Sequence, residues 1–481
     1  MTGTETTTRG TSRLRSPWAV LPVLAAAQFV VVLDASIVNI ALPAIETDLG
    51  FSGPDLQWVI NAYVLAFGGL LLLGGRLTDV VDPRRVFLAG LAVFGVASLV
   101  CGLAETPTAL LVARAAQGVG AALLSPAGLS LLTRTFSGAS RAKALAVWGA
   151  VSGVAGAAGV LLGGVLTQGP GWAWIFLINI PVVLVVGAGA VLLVPRSAPG
   201  RQVGLDLPGA VLISASVISL VLAVVRSEQD GWGSFTVVGG FVAAAVLLVA
   251  FVLVERRVPE PLVPLHVFRL RDLSAGNTVN LLFGAVLLST FFLMTLYLQQ
   301  VQGDSAQLAG FKYLPLALAS FVGSGLCSAL LPRVGAKLPL TAGLVLLAVG
   351  LFWFSLLGAD SGFWTGFFVP SVVWGVGLGL AAVSVLAAST QDLGDDDEGS
   401  GLASGLVTST QQVGAAIGLA VLSTLTFGGV DDALATGTPF PLALLDGLHL
   451  ALRVGAGIAL LAAVLALALL SNRRTAAPVA V

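Results

Sequence analysis

The chain has 481 residues, a mean hydropathy of +1.00, 57% hydrophobic residues and only 10% charged ones. Soluble domains average about 25% charged residues, so this composition excludes them and describes an integral membrane protein. A net charge of −1 leaves no basic surplus for nucleic acid, and Cys101 and Cys327, both inside apolar runs, suggest neither a disulfide framework nor a metal site.

A polar tail with Arg9, Arg13 and Arg15 precedes the first apolar run, which continues too far for a cleaved signal and reads as an uncleaved anchor. Crossing ~30 Å of hydrocarbon at ~1.5 Å per residue takes about 20 residues. Fourteen stretches qualify, near 18–44, 57–74, 86–104, 108–132, 142–166, 172–194, 207–226, 234–254, 274–299, 309–331, 337–358, 363–389, 402–427 and 447–470. The expected fold is an all-α integral membrane protein with 14 transmembrane helices. They group as a tail over 1–16, a six-helix bundle over 17–194, a two-helix insertion with its linker over 195–273, a second six-helix bundle over 274–470 and a tail over 471–481. An internal echo supports two related halves: Arg84-Arg85 before Ala89-Gly90-Leu91, and Arg333 to Lys337 before Ala342-Gly343-Leu344.

An even number of crossings places both termini on one side. Arg76, Arg84, Arg85, Arg134, Arg256, Arg257, Arg271 and Arg333 fall on one set of loops, whereas the opposite loops carry Arg226 alone beside acids such as Glu46, Asp48, Glu105, Asp304 and Asp360. The positive-inside rule then puts both tails in the cytoplasm. The acidic stretch from Asp392 to Glu398 breaks this pattern, but acids contribute little to topology.

Helix one carries Asp34, Ser36 and Asn39 within an apolar run. Ionising an acid in hydrocarbon costs at least ~2.5–3.5 kcal/mol, so Asp34 must face a cavity or a partner. A carboxyl there that holds or loses a proton is what a proton-coupled machine needs. Trp58, Asn61 and Tyr63 open helix two as candidate cavity residues. Arg114 and Gln117 lie on helix four, Arg114 about six residues (~9 Å) in from the outer end. Asp34 is about sixteen residues (~24 Å) from the opposite end of helix one, so both charges fall in the outer half. A pair formed directly or through Gln117 and water is expected, with a fixed structural ion pair as the alternative. Helix five carries Gly149, Gly153, Gly156, Gly159, Gly163 and Gly164, which permit close helix crossing. In the second half Asn280, Tyr297, Gln300, Trp374, Gln411, His449 and Arg453 are candidates for the cavity, each competing with a packing or interfacial role. No phosphate-loop motif occurs, and His266 and His449 are the only histidines. An enzyme, a bound metal and a cofactor are therefore not expected.

These residues together resemble a major facilitator superfamily transporter of the fourteen-helix drug:proton antiporter branch, over nearly the whole chain. Leu33 to Pro43 resembles that branch's first-helix motif, and Gly75 through Asp79 to Arg84 and Arg85 the superfamily's loop motif. Leu110 to Gly120 resembles the fourth-helix motif, with Arg114 at its proton-transfer arginine, and Gly159, Gly163 and Gly164 resemble the antiporter motif. Asp82-Pro83 stands where the loop motif has Gly-Arg, and Val160 where the antiporter motif has Pro. The resemblance implies two pseudo-symmetric bundles around a central cavity and alternating access. It implies export of small organic molecules, drugs or antibiotics, driven by the proton-motive force, by a monomer in the bacterial plasma membrane. Proton symport or uniport on the same fold, which Val160 favours, and a non-transporting sensor or scaffold are the alternatives. Counting Asp34 against Arg114 and Arg453 favours a neutral, zwitterionic or anionic substrate.

Overall fold

The computed structural model describes residues 17–471 apart from 52, 137, 196–205, 260, 262, 264 and 391–396. The predicted tails 1–16 and 472–481, most of the acidic stretch and the side chains of Asp79 and Val160 lie outside what is described. The crossing helices are α1 (Pro17–Leu49), α2 (Trp58–Val80), α3 (Pro83–Gly102), α4 (Pro107–Thr135), α5 (Gly138–Gln168), α6 (Asn179–Leu193), α7 (Leu207–Asp230), α8 (Phe235–Glu255), α9 (Arg271–Leu296), α10 (Leu314–Val334), α11 (Lys337–Phe354), α12 (Phe368–Thr390), α13 (Asp397–Phe427) and α14 (Phe440–Leu469). Twelve spans are long and apolar enough to cross a membrane. The other two helices, α2 and α7, have 23 and 24 residues around shorter apolar stretches, Trp58–Leu71 and Pro208–Val224. At ~1.5 Å per residue each is still about 35 Å long, enough to cross.

Capping side chains make the loops short. Asp82 accepts from Arg84 N, Thr106 from Ala109 N and Asp206 from Gly209 N, each followed by a proline in the first turn. The Asp82-Pro83 departure from the loop motif is thus a helix start. At the basic end, arginines meet carbonyls of helix C-termini: Arg134 Nη2 donates to Thr78 O at 3.2 Å, Arg84 Nη2 to Val191 O at 2.6 Å and Arg271 Nε to Leu469 O at 2.8 Å. These groups carry the negative end of the helix dipole and lack intrahelical donors, so the basic loops stabilise helix ends as well as setting topology.

The two halves repeat their packing. In the first bundle α1 lies on α5, α2 on α4 and α3 on α4; in the second α9 lies on α13, α10 on α12 and α11 on α12. Glycines allow these approaches in both halves. A Cβ on Gly74 would collide with Ala122 O, and one on Gly414 with Leu281 O. The bundles meet along two seams, α2 against α13 and α5 against α10. The α7–α8 insertion is asymmetric: α7 packs on both α2 and α13, covering the first seam, while α8 rests on α7. The outer face of α8, with Val238, Val242, Val246, Val249 and Leu253, is exposed and apolar at helical spacing, as a lipid-facing stripe requires.

At the acidic end the bundles are joined. Gln299 Nε2 donates to Ile40 O at 3.2 Å, Ser423 Oγ to Gln57 Oε1 at 3.4 Å, and a Cβ on Gly164 would sit 2.5 Å from Ala306 O. Gly159 and Gly163 instead seat α1, through Ser36 and Ile37. The antiporter-motif glycines therefore serve two contacts, one within the first bundle and one across to the second.

Candidate functional site: a buried ion pair in the first bundle

Asp34 and Arg114 form the ion pair that their depths predicted. Arg114 Nη1 is 2.6 Å from Asp34 Oδ2, with side chains 1% and 0% exposed. Such a pair is stable only if the remaining polar atoms are also bonded, because desolvating two charges offsets most of their attraction. They are. Arg114 Nη1 also donates to Gln117 Oε1 at 2.7 Å, and Nε to Val59 O at 2.9 Å. Gln117 Nε2 donates to Asp34 Oδ1 at 2.7 Å and to Ser98 Oγ at 2.8 Å. Asn179 Nδ2 donates to Asp34 Oδ1 at 2.8 Å and approaches Ser98 Oγ at 3.4 Å. The guanidinium lies 4.4 Å over the Tyr63 ring and 5.6 Å from that of Phe176, two aromatic faces that favour a cation. The polar contacts to Asp34 from Arg114, Gln117 and Asn179 are all N–H donors, which suit a carboxylate's acceptor oxygens.

Local structure explains the assembly. Gly95 and Gly102 lie on either side of Ser98 on α3, and side chains there would clash with Val183 and Leu177. Their absence lets α6 approach α3 closely enough for Asn179 to reach past Ser98 to Asp34. Asn179 itself begins α6, after a separate turn at Trp174–Leu177. Ser98, Asn179 and the Cys101 thiol, 3.7 Å from Gln117 Oε1, were not singled out from sequence. The signal was depth: all lie within a few residues of the same helix ends as Arg114.

The predicted cavity residues divide. Asn39 donates to Ala35 O and Ser36 O on its own helix, and its Oδ1 has no partner among the described residues. Gln300 is half-buried with an unpartnered Oε1, and Gln411 is half-buried. Tyr63 belongs to the ion-pair site, its hydroxyl turned to Val31 O. Trp374 is fully buried, edge-on to Phe291 at 5.6 Å. Asn61 is buried with neither amide atom partnered among the described residues.

In this arrangement the others meet neighbouring groups or the outer face. Trp58 meets Arg226 of the insertion at 5.9 Å. Asn280 ties α9 to α13 through Val407 O at 2.6 Å. Tyr297 donates to Gly358 O at 2.9 Å, and His449 Nε2 lies 2.7 Å from Leu357 O, both on the loop between α11 and α12. Arg453 is exposed, on one α14 stripe with Leu450, Leu460, Val464 and Leu467. Without it the interior balances one carboxylate against one guanidinium, so the argument for an anionic substrate loses its main support. Of the loop motif, Gly75 O accepts from Thr78 Oγ1 and Arg84 caps α6 inside the first bundle; Arg85 is exposed.

Fourteen helices in two repeated bundles, joined at one end and holding a charge pair away from water, define a membrane transport protein rather than an enzyme. The chain belongs to the Major Facilitator Superfamily, whose profile matches residues 24–419. It is 42% identical over 430 residues to the cephamycin export protein CmcT of Amycolatopsis lactamdurans, covering 88% of each chain. It is 41% identical to the puromycin resistance protein pur8 of Streptomyces alboniger, over 96% of this chain and 92% of that one. Among solved structures it is similar in fold to the POT family transporter PepTSo, with a TM-score of 0.66 at 16% identity, covering 93% of this chain and 96% of that one.

Proposed function

We propose that this chain is a proton-driven exporter of small organic molecules of the antibiotic class, of the fourteen-helix drug:proton antiporter kind. It works as a monomer in the bacterial plasma membrane with both termini in the cytoplasm. The observation that carries the proton coupling is the Asp34 carboxylate, fully buried, held by Arg114, Gln117 and Asn179. In the arrangement described here three N–H donors meet the carboxylate, and a proton taken up on one side of the membrane is released on the other as the bundles rock. Rocking of the bundles loosens the donor set and exposes the acid outward for reprotonation. Each proton entering gains ~2.3 kcal/mol per 100 mV of membrane potential. Similarity to a cephamycin export protein and a puromycin resistance protein supports an antibiotic cargo, and the half-buried Gln300 and Gln411 with Asn39 are the polar groups offered to it.

The test is uptake of puromycin or a cephamycin into inside-out proteoliposomes under an imposed pH gradient. Accumulation that collapses with the gradient is expected, with Asp34→Asn folded but uncoupled. Gradient-driven movement in the same direction as the proton would establish symport instead, and undiminished proton-linked export by Asp34→Asn would remove the basis of the proposal.

A further inference from the structure

We infer that Asn179 allows Asp34 to exist in both protonation states inside the first bundle. Its amide donates to the carboxylate and, after a half-turn about its last bond, accepts from the protonated acid. This rests on Asp34 being the proton carrier and deepens that reading. It follows from an inventory of acceptors.

Protonating Asp34 creates one O–H donor that needs an acceptor within a dry network. Arg114 has none to give. Gln117 Oε1 accepts from Arg114 Nη1 at 2.7 Å and is also the nearest acceptor to the Cys101 thiol. Ser98 Oγ receives the Gln117 and Asn179 amides and passes its own hydrogen to Phe94 O at 2.8 Å. Val59 O is taken by Arg114 Nε, and the Tyr63 hydroxyl points to Val31 O. One acceptor in this set has no partner among the described residues: Asn179 Oδ1, on a residue 1% exposed.

The orphan oxygen has a simple use. Carboxamide O and N are nearly identical in size, so a half-turn exchanges them without moving the backbone. With Asp34 ionised, Nδ2 faces it, as observed at 2.8 Å. With Asp34 protonated, Oδ1 faces the new O–H. Each orientation leaves one amide group without a partner; the observed one also keeps the long 3.4 Å contact to Ser98 Oγ, which the half-turn gives up, so the bond to the new O–H is what draws the amide round. The charged and titratable groups around this point are Arg114 on α4, Tyr63 on α2 and Cys101 on α3; α6 itself contributes no charge between Trp174 and Leu193. An O–H left without an acceptor would disfavour the neutral acid on the order of tenfold or more.

Difference infrared spectroscopy after a pH jump, on the full chain in lipid vesicles, tests this directly. In the unaltered protein the carboxylic-acid C=O band of Asp34, identified by its loss in Asp34→Asn, is expected at the frequency of a hydrogen-bonded acid. Asn179→Leu should move that band up to the frequency of an unbonded acid and lower proton-coupled exchange about tenfold or more. Asn179→Ser, whose hydroxyl both donates and accepts, should hold the band near its original place. An acid band unmoved in Asn179→Leu overturns the assignment. Should Asn179→Leu not fold, isotope-labelled asparagine in the unaltered chain decides: an amide band shifting in step with the acid band supports the half-turn, and an amide spectrum insensitive to pH refutes it. The absence of any titrating acid band belonging to Asp34 would instead sink the proton-carrier reading itself, and this inference with it.

Discussion

The two bundles share their helix pairings and differ in what they bury. The first encloses a carboxylate, a guanidinium, Gln117 and Asn179, drawn from three helices. The second holds neutral groups along its length: Asn277, Asn280 and Thr410 linking α9 to α13, and an aromatic set in which Phe291 touches both Tyr313 and Trp374 at under 6 Å. A buried carboxylate of that half, Asp272, sits at the first turn of α9 bonded to Ser471. An ion pair of the same half, Lys312 with Asp304, lies at the acidic end. Close-approach glycines and repeated pairings therefore build the same frame around quite different interiors. The Asp34–Arg114 pair belongs to the first half, and the shared frame does not depend on it.

The largest blow to this comparison is to break the charged interior by one partner. Arg114→Leu should cost about 3–5 kcal/mol, because it strands a buried carboxylate. The double variant Asp34→Leu/Arg114→Leu should recover much of that loss while remaining uncoupled. Thermal unfolding of purified protein, followed by size-exclusion recovery, checks both; a double variant no more stable than the single one would contradict the ion-pair account.

Next is the seam between the halves. Gln57 faces Ser423 and Gly68 faces Gln412 across it, and Asn61 lies between them on α2 with both amide atoms unpartnered among the described residues. An unpartnered buried amide costs about 1–3 kcal/mol. Asn61→Leu should thus tighten the closed outer end and reduce the outward-open population roughly tenfold, read from spin-label distances across that end; an unchanged distribution would argue against it.

In the neutral interior, Asn280→Leu should lose about 1 kcal/mol of stability through its bonds to Val407 O and Thr410, with no change in the pH profile of transport. A shifted profile would mean that the second bundle also handles protons. The smallest effect belongs to Arg453→Leu. On an exposed stripe it should leave melting temperature and transport as they were, and a loss of transport in vesicles would return Arg453 to the cavity.

Much of the first interior was legible because a charge in an apolar run has few explanations. Asp34 and Arg114 announced themselves, and counting residues from the helix ends brought them to one depth. Gln117 followed at helical spacing from Arg114. Ser98 and Asn179 did not, since a lone hydroxyl or amide is common in membrane helices and nothing in the sequence gives a helix's rotation. That missing rotation also explains the second half. Where one face meets lipid and the other meets protein, both are apolar, and the periodicity that orients a soluble helix is lost. Tyr297, Asn280, His449 and Arg453 were therefore placed by depth alone, and rotation sent them to a loop, a helix partner and the outer surface. Pairing and helix number needed only length and repetition, so the frame was readable where its orientation was not.

The α7–α8 hairpin has one further consequence. Because it lies over the α2–α13 seam and leaves α5–α10 bare, a nearly twofold molecule has one shuttered flank and one unshuttered flank. An oily solute dissolved in the bilayer would find a side door only beside the glycine-rich helix. For the exporter proposed here, the extra pair of helices thus makes the two flanks unequal as approaches from the bilayer.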